Sequence, residues 1–210
     1  MKKLRVTFIL SCLLMSTVFA GGFYVNPELG FVNSPTDRTI TTTLGSMSAI
    51  ADASALSGVS YGISTGYQFK RKLLHIIPEF TYNGYGISYL ATNGTVFKKM
   101  NAVTTKVKLG LGMWKKRALY VSGGFSTLSF NYDGDSGSSG IFSSKAVTES
   151  QFVWAVGYRR VYLSTLLVNW EYEVRPQFTI EQTGDLLGTA VSVRDKVTMN
   201  TFKLGIGVQL

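Results

Sequence analysis

From about residue 59 onward, apolar and polar side chains alternate with a period of two over segments roughly ten residues long. Successive side chains on a β-strand point to opposite faces, so this pattern prescribes two-faced strands and leaves little room for helix. Val59, Tyr61, Ile63, Tyr67 and Phe69 share one face, and Ser60, Gly62, Ser64, Gly66 and Gln68 share the other. The same sorting returns in Val103, Val107, Leu109, Leu111 and Met113, in Phe152, Trp154, Val156 and Tyr158, in Leu166, Val168, Trp170, Tyr172 and Val174, and in Phe202, Leu204, Ile206, Val208 and Leu210. Three further segments, 23 to 31, 76 to 88 and 119 to 130, carry the pattern blurred by Pro27, Pro78 and the Gly123-Gly124 pair. Eight strands are predicted.

Gly66, Gly112, Gly157 and Gly207 recur at spacings of 46, 45 and 50 residues, three of them just ahead of a short basic stretch. Each period therefore holds one tight turn and one long connection. The long connections are predicted at 32 to 57, 89 to 101, 131 to 147 and 176 to 195; Ala49 to Leu56 within the first has the composition of a short helix, and Phe178, Ile180, Leu186 and Leu187 give the fourth enough apolar surface to fold on itself or extend the barrel above the membrane.

Lys2, Lys3 and Arg5 precede an apolar run from Val6 to Phe19, and Val18-Phe19-Ala20 suits a signal peptidase, so residues 1–20 read as a cleaved secretory signal and 21–210 as one domain. The run is too short and too polar for a transmembrane anchor, and it continues past Cys12, which argues against a lipoprotein signal. Cleavage removes the only cysteine, and with it any thiol chemistry, and lowers the net charge from +9 to +6.

A continuous apolar face must be buried, either in the interior of a soluble barrel or in lipid outside a membrane barrel. Three features favour lipid. The opposite face is built of small and charged residues suited to a narrow lumen. Aromatic side chains gather where strands meet the tight turns, with Tyr67, Phe69, Trp114, Tyr120, Tyr158 and Tyr162 as an interfacial girdle. Short turns at one rim and long loops at the other give the asymmetry of outer-membrane barrels. The fold class expected is all-β, an eight-stranded antiparallel up-and-down transmembrane barrel with short periplasmic turns and four long extracellular loops.

Together with the signal sequence and a final strand FKLGIGVQL that ends at the last residue, these features resemble the small eight-stranded outer-membrane barrels of Gram-negative bacteria, namely the outer-membrane protein A barrel and the opacity-type proteins. The resemblance covers the whole mature chain and is one of architecture. It implies outer-membrane localisation and a barrel with no periplasmic domain after it. Such barrels usually finish on Phe as an assembly signal; here Phe202, Leu204, Ile206 and Val208 keep the alternation but Leu210 stands at the end.

Inside eight strands there is room for little more than side chains. Glu28, Glu79, Lys106, Lys108, Glu171, Glu173, Arg175 and Lys203 fall on the polar face with mixed signs and are expected to pair as a static plug, with a polar pathway or gate as the other reading. The tight turns carry Lys70, Arg71 and Lys72, then Lys115, Lys116 and Arg117, then Arg159 and Arg160, placed to meet anionic lipid headgroups. Outer-membrane lipids are thus the expected partners, with host or other extracellular surface molecules at the loops. Nucleic acid is not, because these basic residues border lipid-facing aromatics and carry no recognised binding motif.

An acyl-transfer or hydrolytic site would need a histidine beside a serine and an acid. His75, the sole histidine, directly follows a basic turn and reads as a rim residue at the periplasmic end, far from the Ser- and Asp-rich loops. Asp133-Gly134-Asp135-Ser136-Gly137 lacks the later Glu of a calcium loop and reads as a plain turn. No enzyme activity, cofactor or metal is expected. The functions left are a structural or surface-interaction role, adhesin-like and carried by the extracellular loops, or a narrow porin-like channel.

Overall fold

The computed structural model describes residues 20–42, 48–51, 56–88, 90–91, 94–95, 97–113, 116–132, 145–186 and 189–210. Its elements are all strands: β1 (Ala20–Ser34), β2 (Thr36–Thr42), β3 (Ser48–Ala51), β4 (Leu56–Arg71), β5 (Leu74–Ser88), β6 (Leu90–Ala91), β7 (Gly94–Thr95), β8 (Phe97–Met113), β9 (Arg117–Tyr132), β10 (Lys145–Tyr162), β11 (Leu166–Leu186) and β12 (Thr189–Gln209). The eight long strands pair antiparallel in chain order, and β1 pairs with β12 to close the ring. A closed ring leaves no edge with unpaired backbone, which is what a strand protein needs in hydrocarbon.

Partners followed once around the wall, from Gly21 through Phe69, Ile76, Leu109, Val121, Val156, Tyr172 and Phe202, arrive back on β1 at Phe31, a shear of 10 residues. At ordinary strand spacings, eight strands with that shear tilt by about 40° from the axis and enclose a bore about 16 Å across between backbones, wide enough for side chains. Pro27 and Pro78 sit in the wall without breaking it. Each lacks an N–H, and pairing skips on one flank only: between β1 and β12 around Pro27, and between β4 and β5 around Pro78.

The apolar face points outward. Leu29, Tyr61, Phe80, Leu109, Val121, Phe152, Trp170 and Ile206, drawn from all eight long strands, are exposed on the outside of the ring. The polar face points inward, so the sorting is opposite to that of a soluble barrel, and only lipid can cover the belt.

Toward the long-loop end the sorting reverses within the same strands. On β12, Phe202, Leu204, Ile206 and Val208 face out and Thr201, Lys203 and Gly205 face in; beyond Asn200, Ser192, Arg194, Lys196 and Thr198 face out while Val191, Val193, Val197 and Met199 are buried. On β9 the outward Leu119, Val121 and Phe125 give way to Thr127, Ser129 and Asn131, and Leu128, Phe130 and Tyr132 turn in. β11 changes at a bulge between Arg175 and Phe178, and β8 has a bulge between Lys98 and Asn101, where Lys99 adopts φ 53°. Above this level the wall is water-facing outside and encloses an apolar core of Val32, Met100, Leu128, Phe130, Phe178, Ile180 and Met199 with Tyr85 and Tyr132. Outer hydroxyls pair across strands there, Thr127 with Ser150 at 3.0 Å, and Glu181 bridges Arg194 at 2.9 Å.

Three expectations change. Residues 176 to 195 are not a loop: β11 and β12 run on as a hairpin to Leu186 and Thr189, because Phe178 and Ile180 on one strand and Val191, Val193 and Val197 on the other have a core to fill. The segment expected as a helix from Ala49 begins as strand, since Ser48–Ala51 pairs with β2, which itself pairs with β12 above the ring; residues 52–55 lie outside the described ones. The tight turn near 160 lies further on, at Leu163-Ser164-Thr165, with Leu163 and Ser164 at φ 47° and 72°. The signal peptide, up to residue 19, and the Asp133 to Gly137 turn lie outside the described residues.

Candidate functional site: the charged lumen

Alternation sets the site. Lys106 and Lys108 are two apart on β8, and Glu171, Glu173 and Arg175 are successive inward residues of β11, three strands away around the ring. Glu79 pairs directly with Lys106 in the β5–β8 ladder, and Glu171 with Lys203 in the β11–β12 ladder. All eight side chains named for the lumen are buried.

Seven of them make one connected network. Lys106 Nζ bonds Glu171 Oε1 and reaches Glu173 Oε2 at 3.1 Å and Glu79 Oε1 at 3.4 Å. Lys108 Nζ bridges Glu79 Oε2 at 2.7 Å and Glu171 Oε2 at 3.0 Å. Glu173 then takes Lys203 at 2.8 Å and Arg175 at 2.9 Å, which makes it the one carboxylate partner of both among the described residues. Glu28 is the exception. Its Oε1 accepts from Ser64 at 2.7 Å and Asn26 at 3.1 Å, and the structure gives it no ion pair among the described residues.

Neutral partners add to the shell. The Tyr24 hydroxyl donates to Glu79 Oε2, and the Tyr120 hydroxyl lies 2.7 Å from Asn169 Oδ1 and 3.0 Å from Glu171 Oε2. Arg175 donates to Ser126 Oγ at 2.5 Å and to the Tyr85 hydroxyl at 2.9 Å. Tyr120 has room to cross the bore because Gly157 stands opposite it, where a Cβ would lie 2.4 Å from the phenol oxygen. Buried charge needs such satisfaction, since a lone ion in a low-dielectric interior costs several kcal/mol. Five buried acids, Glu28, Glu79, Glu171, Glu173 and Asp195, stand against five buried bases, Lys106, Lys108, Arg159, Arg175 and Lys203, so these charges sum to zero.

Two residues assigned to the rim belong inside. Tyr120 is not in the aromatic girdle: Leu119 and Val121 take the lipid face, so its parity turns it into the lumen. Arg159 is not on a turn: β10 continues to Tyr162, and Arg159 points inward with its guanidinium 4.1 Å from the centre of the Tyr24 ring. Arg160 is also in the strand, stacked on Tyr162 at 4.1 Å. Lys70 and Arg71 end β4, Lys72 and Lys116 occupy turns at positive φ, and Arg117 opens β9. Tyr67 packs on Phe69 at 4.7 Å, and Tyr158 and Tyr162 are at least partly open on the same rim. Trp114 and Lys115 lie outside the described residues. His75 does sit at the periplasmic end but is turned inward and buried, with Nδ1 2.9 Å from Gln68 Nε2.

The residues overlooked in sequence are Tyr24, Tyr85 and Ser126, together with Val32, Met100, Leu128 and Phe130 of the apolar core above the ions, whose Phe178 and Ile180 were readable as an extension of the barrel. Tyr24 alternates with the lipid-facing Phe23 and Val25, whereas Gly84 and Gly86 around Tyr85 and the water-facing Thr127 beside Ser126 blur the parity there.

Charge-neutral polar filling below, apolar filling above and a lipid-facing belt between two rims leave one architecture. Its fold is that of the small eight-stranded outer-membrane β-barrels. OprG from Pseudomonas aeruginosa superposes over 91% of this chain and 97% of its own, with 11% identity and a TM-score of 0.60. The outer-membrane protein AlkL, solved in lipid bilayers, matches over 91% of each chain with 15% identity and a TM-score of 0.53. No family model matches this barrel, and no curated protein sequence does. At such identities the likeness carries the fold and no role.

Proposed function

We propose that this chain is an integral outer-membrane barrel that works as a sealed, rigid platform and meets extracellular partners through the part that rises above the membrane. The observation that carries the reading is the reversal of facing along the strands. Where β9, β11 and β12 leave the apolar belt, they keep a core and present Ser, Thr, Asn and charged side chains to water. A wall extended in this way is expensive to order and adds nothing to membrane anchoring. Its use is to hold connecting segments rigidly away from lipid, and loops on a rigid scaffold are where contacts are made. The proposal includes the absence of an enzymatic role and removal of residues 1–20.

The channel reading has less support, because the bore is occupied by the ion network and then by the apolar core. The platform reading is tested by replacing residues 133–144 with a Gly-Ser linker of equal length. Cells displaying the variant should lose binding to matrix-coated surfaces or host cells, while the purified protein keeps its heat-dependent electrophoretic mobility. Binding unchanged in this variant, and in a second one altered at 43–47 and 52–55, contradicts the proposal.

A further inference from the structure

At the periplasmic mouth, below the ion network, lies a cavity of about 290 Å³ lined by Gln68, Lys70, His75, Lys116, Arg117 and Arg159 among others. Among the described residues, no acidic side chain lines it. A second cavity of about 270 Å³ shares Lys70, His75, Lys116 and Arg117 and adds Lys72. This contrasts with the lumen above, where seven ions of both signs are joined in one network.

Among the described residues, two buried donors there lack partners. Arg159, 3% exposed, spends Nη2 on Gln209 Oε1 at 3.1 Å and its face on Tyr24, and its Nε–H is left unmatched. His75, also 3% exposed, accepts at Nδ1 from the Gln68 amide, so its hydrogen sits on Nε2, which has no partner either. Gln68 Oε1 is an unmatched acceptor beside them. Buried polar groups are nearly always satisfied, and a concave site of one charge sign raises the local concentration of its counter-ion. Rim connections hold the mouth in shape: the Val161 amide donates to the Lys116 carbonyl at 2.9 Å, the Gln209 amide to the Thr165 carbonyl at 2.8 Å, and Lys116 Nζ to Ser164 Oγ at 2.8 Å. Gly21 is another lining residue, so cleavage after Ala20 would add an α-ammonium group to the same cavity.

We propose that the periplasmic mouth of the barrel is a phosphate-type oxyanion site, with Arg159 and His75 as the buried donors and Lys70, Lys116 and Arg117 as the outer cations. The ligand is either a free phosphate compound or the headgroup of an anionic phospholipid of the inner leaflet. Lys and Arg at a rim ordinarily meet lipid from outside; here Arg71 and Arg160 remain available for that, while Lys70, Lys116, Arg117 and Arg159 line the mouth.

His75 is the only histidine, so its ring gives a single set of nuclear magnetic resonance signals. The folded barrel in zwitterionic nanodiscs is titrated with inorganic diphosphate at constant ionic strength. The His75 signals should move saturably, Arg159→Gln and Arg117→Gln should each weaken the midpoint by about tenfold, as loss of one charge-assisted contact implies, and Arg160→Gln should leave it unchanged. Arg117 is exposed at a strand start, which keeps the test available if Arg159→Gln fails to fold. In nanodiscs of anionic phospholipid without diphosphate, the same His75 displacement identifies a headgroup as the ligand; displacement by diphosphate alone identifies a free anion. No saturable movement in either disc, or equal weakening by Arg117→Gln and Arg160→Gln, overturns the site.

Discussion

Glu173→Leu will lower the unfolding free energy by about 3–5 kcal/mol, read from urea titrations of the protein in lipid vesicles. Glu173 holds Lys203, Arg175 and Lys106 at 2.8 to 3.1 Å, and for the first two it is the one carboxylate partner among the described residues. Leucine fills much of the volume but strands two buried cations, and stranding an ion costs more than the pair itself contributes. The diagnostic is recovery: Glu173→Leu combined with Arg175→Met should be less destabilised than Glu173→Leu alone. Glu28→Gln is the matched control. It removes a buried carboxylate that has two hydrogen bonds and, among the described residues, no ion pair, and should cost about 1 kcal/mol. Equal losses for Glu173→Leu and Glu28→Gln would mean that the network does not act as a unit.

The second large effect concerns the outside. Val107 and Ser129 both face away from the axis, Val107 within the apolar belt of β8 and Ser129 above the reversal on β9. Val107→Arg should cost about 2–4 kcal/mol, because the guanidinium must reach the interface from the hydrocarbon. Ser129→Arg should stay within about 0.5 kcal/mol of the parent, as for an ordinary exposed site. The same substitution on the same face thus locates the membrane edge between the two levels. Similar costs at both positions would place the edge elsewhere.

Much of this was legible as parity. The eight strands, the lipid face and the lumen ions follow from the period of two, since a single register places every second residue on one side. What parity does not give is level. Arg159 shares the parity of Gly157 and Ala155, which marks it as inward, yet beside Arg160 it resembled a basic turn because the actual turn, Leu163-Ser164-Thr165, contains no Gly, Pro, Asn or Asp. Tyr120 likewise has the parity of the lumen but the composition of a girdle. Residues 176 to 195 looked like a loop for the opposite reason: their Gly, Ser, Thr and Asp content suggested irregular chain, and the apolar positions among them face inward there, not outward as in the belt. A pattern whose sense reverses along one strand reads as noise until the solvent on each side is known. The network also needed depth, since nothing in the spacing pairs β8 with β11 across the bore.

A single strand, β12, faces lipid with apolar residues at its periplasmic end and water with polar residues at its other end. Nitroxide labels placed singly along β12 from Ser192 to Val208, in a chain lacking Cys12 and reconstituted in bilayers, test it directly. Collision with dissolved oxygen should be high at Phe202, Leu204, Ile206 and Val208 and low at Thr201, Lys203 and Gly205. Collision with a water-soluble nickel chelate should instead be high at Ser192, Arg194, Lys196 and Thr198. Oxygen access that alternates in the opposite sense, or that continues unchanged from Val208 to Ser192, would contradict the account.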